Sequence, residues 1–196
     1  MKKRYIRLDN SNFIKKGVVI IKIINYWLHF KTITKHKWYV FNACKDCGIV
    51  WRGIKHDLSK FSVKEFISSA KYFQGNSSPI DAEKIAKGYS IAWQNHKGHN
   101  THHWQYWLDN NGKEIIPLKM PYKDLIELIC DWIGAGKAYN KGKWTQEEPW
   151  NYWCKNKDKM LFNQDTYIFI NETLRYIKDY GWSNFSYTIK KKNWEY

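Results

Sequence analysis

An all-α bundle of about seven helices is the fold class this sequence predicts. Three observations lead there: apolar residues recur at helical spacing along most of the chain, capping signals open several of those segments, and strand-like signals are confined to one short stretch. A first helix is expected over about residues 11 to 30, where Ile14, Val18, Ile21, Ile24 and Leu28 form a stripe with Lys15 and Lys22 off it. A second, about Thr34 to Val50, places Val40, Ala43, Cys47 and Val50 on one face, with His36 on or beside it. The third begins near Ser62: Ser62 and Glu65 have the spacing of a capping box, and Phe61 and Phe66 that of a hydrophobic staple. The fourth is expected from Asp81, with Ile80 and Ile85 as its staple, to the region of His96. Asn111-Gly112 then marks a tight turn, which joins Tyr106 to Asp109 and Glu114 to Leu118 in at most a minor hairpin within residues 106–118. Pro121, at a first helical position, opens a fifth helix with Leu125, Leu128, Ile129 and Trp132 inward, ending at Gly134 or Gly136. Two more follow: about Thr145 to Asn156, with a Thr145/Glu148 capping box, and Asp165 to Tyr180, closed by Gly181.

A chain of 196 residues without an internal repeat or a Pro/Gly-rich linker reads as a single domain over 1–196. The longest apolar stretch, Gly17 to Phe30, is interrupted by Lys22, Asn25 and His29, so no membrane partner is expected. Met-Lys-Lys-Arg at the start lacks the apolar region and cleavage site of a signal peptide, and a cytoplasmic location is expected. Cys44, Cys47, Cys130 and Cys154 read as reduced, partly buried thiols, because neither a second Cys pair for zinc nor a preceding strand accompanies Cys44-Lys-Asp-Cys47. The net charge of +15 favours anionic partners, whether nucleic acid, nucleotide or acidic membrane surface. Lysine supplies 29 of the 33 basic residues, and so few arginines argue against sequence-specific reading of a duplex. Nucleic acid as a partner and a homo-oligomeric state both stay open.

His56-Asp57 puts an imidazole and a carboxylate on adjacent residues. Both can face one ion only where the backbone bends, and Arg52-Gly53 upstream supplies a bend. His36 lies one helix earlier on an apolar face, and Asp131 interrupts a later apolar helix. Two imidazoles and two carboxylates make a set suited to a divalent ion (Mn, Mg, Zn, Fe or Ni) with positions left for water and substrate. This order, His then His-Asp then Asp on successive helices, resembles the HD-domain phosphohydrolase superfamily, and the fold it implies is an HD-domain-like helical bundle. His56-Asp57-Leu58-Ser59-Lys60 is similar to that superfamily's His-Asp-x-x-Lys variant, in which the lysine approaches a substrate phosphate. Lys60 is accordingly a phosphate contact or a solvated lysine.

HDLSKFSVKEF at His56 to Phe66, GYSIAWQNHKGHNTHHWQYW at Gly88 to Trp107, MPY at Met120 to Tyr122 and ELICDW at Glu127 to Trp132 also resemble the motifs of a family found in phages and Gram-positive bacteria. His99 stands where that family is expected to carry arginine, which makes it a poor candidate ligand. Four of the seven histidines, His96, His99, His102 and His103, fall within eight residues among Trp93, Trp104 and Trp107, a composition that suits a pocket wall. His96, His102, His103 and Glu127 are candidates for a second metal or for phosphate, and Glu127 has the alternative of pairing with a lysine at the rim. Trp104 and Trp107 are candidates for stacking a base.

The activity these resemblances imply is metal-dependent hydrolysis of a nucleotide or related phosphoester. One or two divalent ions activate water, with Asp57, Lys60, His96 and His103 as catalytic residues. Two alternatives stand beside it: a non-catalytic nucleic-acid or nucleotide binder with a structural metal, and an HD-like di-iron oxygenase that uses both histidine groups as ligands.

Overall fold

The computed structural model describes residues 10–75, 78–140 and 142–191, with side chains described from residue 23 onward. It is mostly helical, with nine α-helices and a two-stranded sheet among the described residues. The helices are α1 (Asn10–Asp46), α2 (Val50–Lys55), α3 (Val63–Lys71), α4 (Pro79–Lys87), α5 (Ile91–His99), α6 (Tyr122–Tyr139), α7 (Glu148–Asn156), α8 (Gln164–Tyr180) and α9 (Trp182–Lys190). The all-α class with a minor hairpin is the one expected, although the number of helices exceeds the seven that periodicity reveals.

The first two expected helices are one. Nothing between Phe30 and Thr34 breaks the backbone, and the Thr32 and Thr34 hydroxyls donate to the carbonyls of Leu28 and Phe30 a turn earlier, so even these β-branched residues sit comfortably in a helix. The side chains of Ile14, Val18 and Ile21 lie outside the described residues, and Ile24 and Leu28 are exposed. The inward face of α1 is carried by His29, Ile33, His36, Val40, Ala43 and Cys44. α1 ends at Asp46 rather than Val50: the Ile49 and Gly48 amides donate to the carbonyls of Cys44 and Lys45, with Gly48 at φ +78, a closure that favours glycine.

The turn releases α2, a helix too short to show a period. Gly53 lies inside α2 and is not the bend before His56-Asp57; a Cβ there would stand 2.8 Å from Cys44 Cβ, so the glycine serves close packing on α1. The bend falls on Asp57 itself, at φ 53 and ψ 26 in the left-handed region, where Asp is tolerated better than most side chains. Ser62 caps α3 as expected, accepting from the Glu65 amide. The helix expected from Asp81 to His96 is divided at Gly88 (φ 80) into α4 and α5, and Ser90 caps α5 by accepting from the Trp93 amide at 3.0 Å.

Strands β1 (Leu108–Asn110) and β2 (Ile115–Pro117) pair antiparallel with Asp109 opposite Ile116, inside the stretch expected for the hairpin. Pro121 is the cap of α6 rather than its first residue, and α6 runs through Gly134 and Gly136 to Tyr139. Gly134 marks a close approach, since a Cβ there would overlap Val40 Cγ2 and lie 2.9 Å from the Val40 amide nitrogen. α7 starts three residues after Thr145, whose amide still donates to the Glu148 carboxylate, and α8 starts one residue before Asp165. Buried apolar residues from α1, α6, α7, α8 and α9 form one cluster around Val40, Ile129, Ile133, Trp153, Leu174 and Phe185, and this cluster fixes α1 against α6. Cys44, Cys47 and Cys130 are buried thiols within it, and Cys154 is exposed. No described helix is long and apolar enough to cross a membrane.

Candidate metal centre

α1 brings His36, the α2–α3 connection brings His56 and Asp57, and α6 brings Asp131 to one place. His36 Nε2 stands 3.1 Å from Asp131 Oδ1 and 3.4 Å from Asp57 Oδ2. His56 Nε2 stands 3.2 Å from Asp57 Oδ2, 3.3 Å from Asp131 Oδ1 and 3.4 Å from His36 Nε2. Ligand atoms bound at about 2.1 Å and at right angles to each other lie about 3 Å apart, so one ion could be shared by these four side chains. All four side chains are buried or nearly so.

A second group adjoins the first through Asp57. Its other oxygen, Oδ1, faces His96 Nε2 at 3.3 Å and His102 Nε2 at 3.5 Å, and His103 Nε2 is 2.7 Å from His96 Nε2. One carboxylate therefore faces a set of imidazoles with each oxygen. Both Asp57 oxygens and His102 Nε2 are buried without a well-aligned hydrogen bond, although Lys60 Nζ lies 2.5 Å from Asp57 Oδ2. Orphaned acceptors of this kind are costly unless a cation satisfies them, and a mixed imidazole–carboxylate donor set fits a divalent ion.

Behind the inward-facing atoms, carboxylates hold the other ring nitrogens. His56 Nδ1 donates to Glu127 Oε1 at 2.9 Å, and His102 Nδ1 lies 3.2 Å from the same oxygen. His96 Nδ1 donates to Glu65 Oε2 at 2.9 Å, and Asn95 donates to Glu65 Oε1 at 2.7 Å. Such bonds fix the tautomer that leaves the Nε2 lone pair inward. Glu127 Oε2 accepts from Arg52 Nε at 2.6 Å, and Arg52 also donates to Asp124, which accepts from Thr101.

Burial alone would raise the Asp57 and Asp131 carboxyls. The charges of His56, Lys60 and His96 hold Asp57, and bonds from His36 and His56 hold Asp131, well below the usual carboxylate range. Glu127 and Glu65 are lowered against the same opposition from burial by their histidine partners. Burial opposes charge on His56, yet Asp57, Asp131 and Glu127 hold its pKa well above the ordinary histidine value. Burial lowers His103 well below that value, and the neighbouring His102 and His96 push the same way.

A cavity of about 670 Å³ reaches both groups, through Asp131 of the first and His103 of the second, and Trp93, Trp104, Tyr139 and Tyr152 are among its walls. That volume suits a small organic ligand. Trp104 lines the cavity as a stacking surface would. Trp107 does not; it packs on the core and donates to the Thr101 carbonyl at 2.6 Å. Lys60 is outside that wall and, partly exposed, sits on Asp57, and Glu127 pairs with Arg52 rather than with a rim lysine. His99 is exposed and bonds only to the Asn95 carbonyl among the described contacts, in keeping with its low standing. Sequence reasoning missed Glu65, taken as half of a capping box, along with Arg52 and Asp124.

Fold and centre together describe a mostly helical protein in which two of the histidine–carboxylate groups among the described residues share Asp57. The chain belongs to DUF5662, a family of unknown function whose model matches residues 25–176 and so spans every member of both groups. No curated protein and no solved structure matches the chain.

Proposed function

We propose that this protein is a metal-dependent phosphohydrolase acting on a nucleotide or related phosphoester. His36, His56, Asp57 and Asp131 would hold one divalent ion and Asp57, His96, His102 and His103 a second. The position of Asp57, with one oxygen toward each group beside an aromatic cavity, carries this reading. When bound, paired divalent ions supply an activated water nucleophile and neutralise a phosphoryl oxygen.

The chain's own residues do the rest. Glu127 and Glu65 orient His56, His102 and His96. His103, the one histidine of the second group that lines the cavity, would turn Nε2 to the ion and leave Nδ1–H free to donate a hydrogen bond to a ligand there. Trp104 and Trp93 offer faces for a base, and Lys84, 5.2 Å above the Trp93 ring, adds a cation to the wall. Lys60 holds a positive charge at Asp57, where burial opposes the charge and the Asp57 carboxylate sustains it.

Elemental analysis of the purified protein, followed by a phosphate-release screen over nucleotides with Mn, Mg, Ni and Zn, tests this reading. Two ions per chain and metal-dependent release are expected; a metal-free protein without release ends it. A second reading is favoured by the three imidazoles of the second group, which also suit a di-iron oxygenase. Two irons per chain with oxygen consumption would select it. Ions that stay bound with no turnover, together with steeply salt-dependent nucleotide or nucleic-acid affinity, would mark a non-catalytic binder.

A further inference from the structure

The surface of α1 and α2 is rich in lysine and poor in acid. Between residues 10 and 64 the sequence carries eleven Lys and Arg residues and two carboxylates, Asp46 and the buried Asp57. Lys37, Arg52 and Lys60 are engaged internally, whereas Lys31, Lys35, Lys45, Lys55 and Lys64 are exposed.

Among these lysines lie large apolar side chains facing away from the core. Ile23, Trp27, Phe30 and Trp38 share one face of α1 by spacing and are 63%, 58%, 47% and 61% exposed. Phe61 continues the stripe, its ring 6.1 Å from that of Phe30, and exposed Ile54 lies alongside, where its carbonyl takes the Lys37 ammonium. The Lys31 ammonium sits 4.1 Å above the Trp27 ring. Single exposed apolar residues are ordinary, but a stripe of them, interrupted on this face by Thr34 and rimmed by one sign of charge, marks an interaction surface.

Three occupants can be compared. A second copy would set these lysines against their own counterparts in a chain of net charge +15. Single-stranded nucleic acid would stack on Trp27, Phe30 and Trp38 but leave Ile23 and Ile54 facing water. The headgroup boundary of an anionic bilayer accepts the tryptophans, the aliphatic side chains and the lysines together.

The geometry points to this face of α1 and α2 as a docking surface for anionic lipid bilayers, with α1 lying in the plane of the interface. Such binding spans nothing and agrees with the absence of a crossing helix among the described residues, but it departs from the sequence expectation of no membrane partner.

The test is co-sedimentation of the full chain with vesicles of phosphatidylcholine alone and of phosphatidylcholine doped with phosphatidylglycerol. Binding to the doped vesicles only, weakened by salt, is expected. Trp27→Ser with Trp38→Ser, and separately Lys31→Gln with Lys35→Gln, should each lower the affinity by about tenfold or more while helical content and melting temperature stay unchanged. No binding to doped vesicles at low salt overturns the proposal, as does equal binding by correctly folded variants. If the variants instead change the oligomeric mass or the affinity for oligo(dT), the surface belongs to a second copy or to nucleic acid, and the proposal is likewise wrong.

Discussion

His36 and Asp131 are carried on α1 and α6, whose facing sides are apolar and meet closely at Gly134, whereas His96, His102 and His103 come from the nine-residue α5 and the segment that follows it. That second set is held by polar ties: Glu65 to His96, Asn100 to Ser59 Oγ and to the His96 carbonyl, both at 2.8 Å, and Thr101 to Asp124. Burial of apolar area is spread over many contacts and tolerates the loss of any one of them. A buried hydrogen-bond network is brittle, since removing one partner leaves the other unsatisfied. His36 and Asp131 should therefore keep their places when single polar residues change, and His96, His102 and His103 should not.

Asp57→Asn is the substitution that should break this distinction, because Asp57 offers a ligand atom to each group. Asparagine accepts the left-handed backbone at this position, so the change isolates the charge. Bound metal is expected to fall from two ions to none, and any phosphate release by about a thousandfold, equivalent to several kcal/mol of lost stabilisation. Elemental analysis and single-turnover assays read both, and a variant that keeps its metal would show that the groups do not depend on the shared carboxylate.

Glu127→Gln comes next. Glu127 Oε1 orients one imidazole of each group, so the affinity of both for metal should drop about 10- to 100-fold, seen as two equally weakened steps in a metal titration. Glu65→Gln sharpens the contrast: the same loss should appear in one step only, that of the His96 group, with the His36 group unchanged. Two weakened steps here would mean that the groups are mechanically one.

The smallest effect concerns His29, outside both groups and buried against Phe66 and Phe73. Burial, aided by the Lys60 charge, lowers its pKa to about 4. The unfolded chain, near the ordinary value of about 6.5, takes up the proton first, so stability is lost as pH falls from about 6.5 toward 4 and changes little on this account below that. His29→Leu should be relatively more stable at pH 5 than at pH 7 by about 1 to 2 kcal/mol, measured by denaturant unfolding at both values. An unchanged difference would show that the folded chain takes up the His29 proton as readily as the unfolded one, so that burial does not lower its pKa.

The same contrast explains what the sequence made legible. His36 and Asp131 interrupt apolar stripes of long helices, where periodicity says which way a side chain points, and His56-Asp57 is an adjacent pair with its own signature. Glu65 was hidden because Ser62 and Glu65 satisfy a local rule: the serine does cap α3, but the glutamate leaves the cap for His96, and only tertiary structure reveals that. Scarcity of acid was the usable clue, since in a chain of 33 basic and 18 acidic residues a carboxylate in helical surroundings is conspicuous, and Glu65, Glu83, Asp124 and Glu127 are all buried. The merging of two expected helices into α1, the division of another at Gly88 and the shortness of α2 have one cause. Helix ends are decided by single residues and by what packs on them, and composition averages over both.

α1 runs without interruption from Asn10 to Asp46, a rod of about 55 Å, and Trp27 and His36 sit on it about 13 Å apart. No hinge lies between them. A shift in how the outer stretch is seated is therefore carried along the shaft toward the imidazole, which sits in the half nearer Asp46.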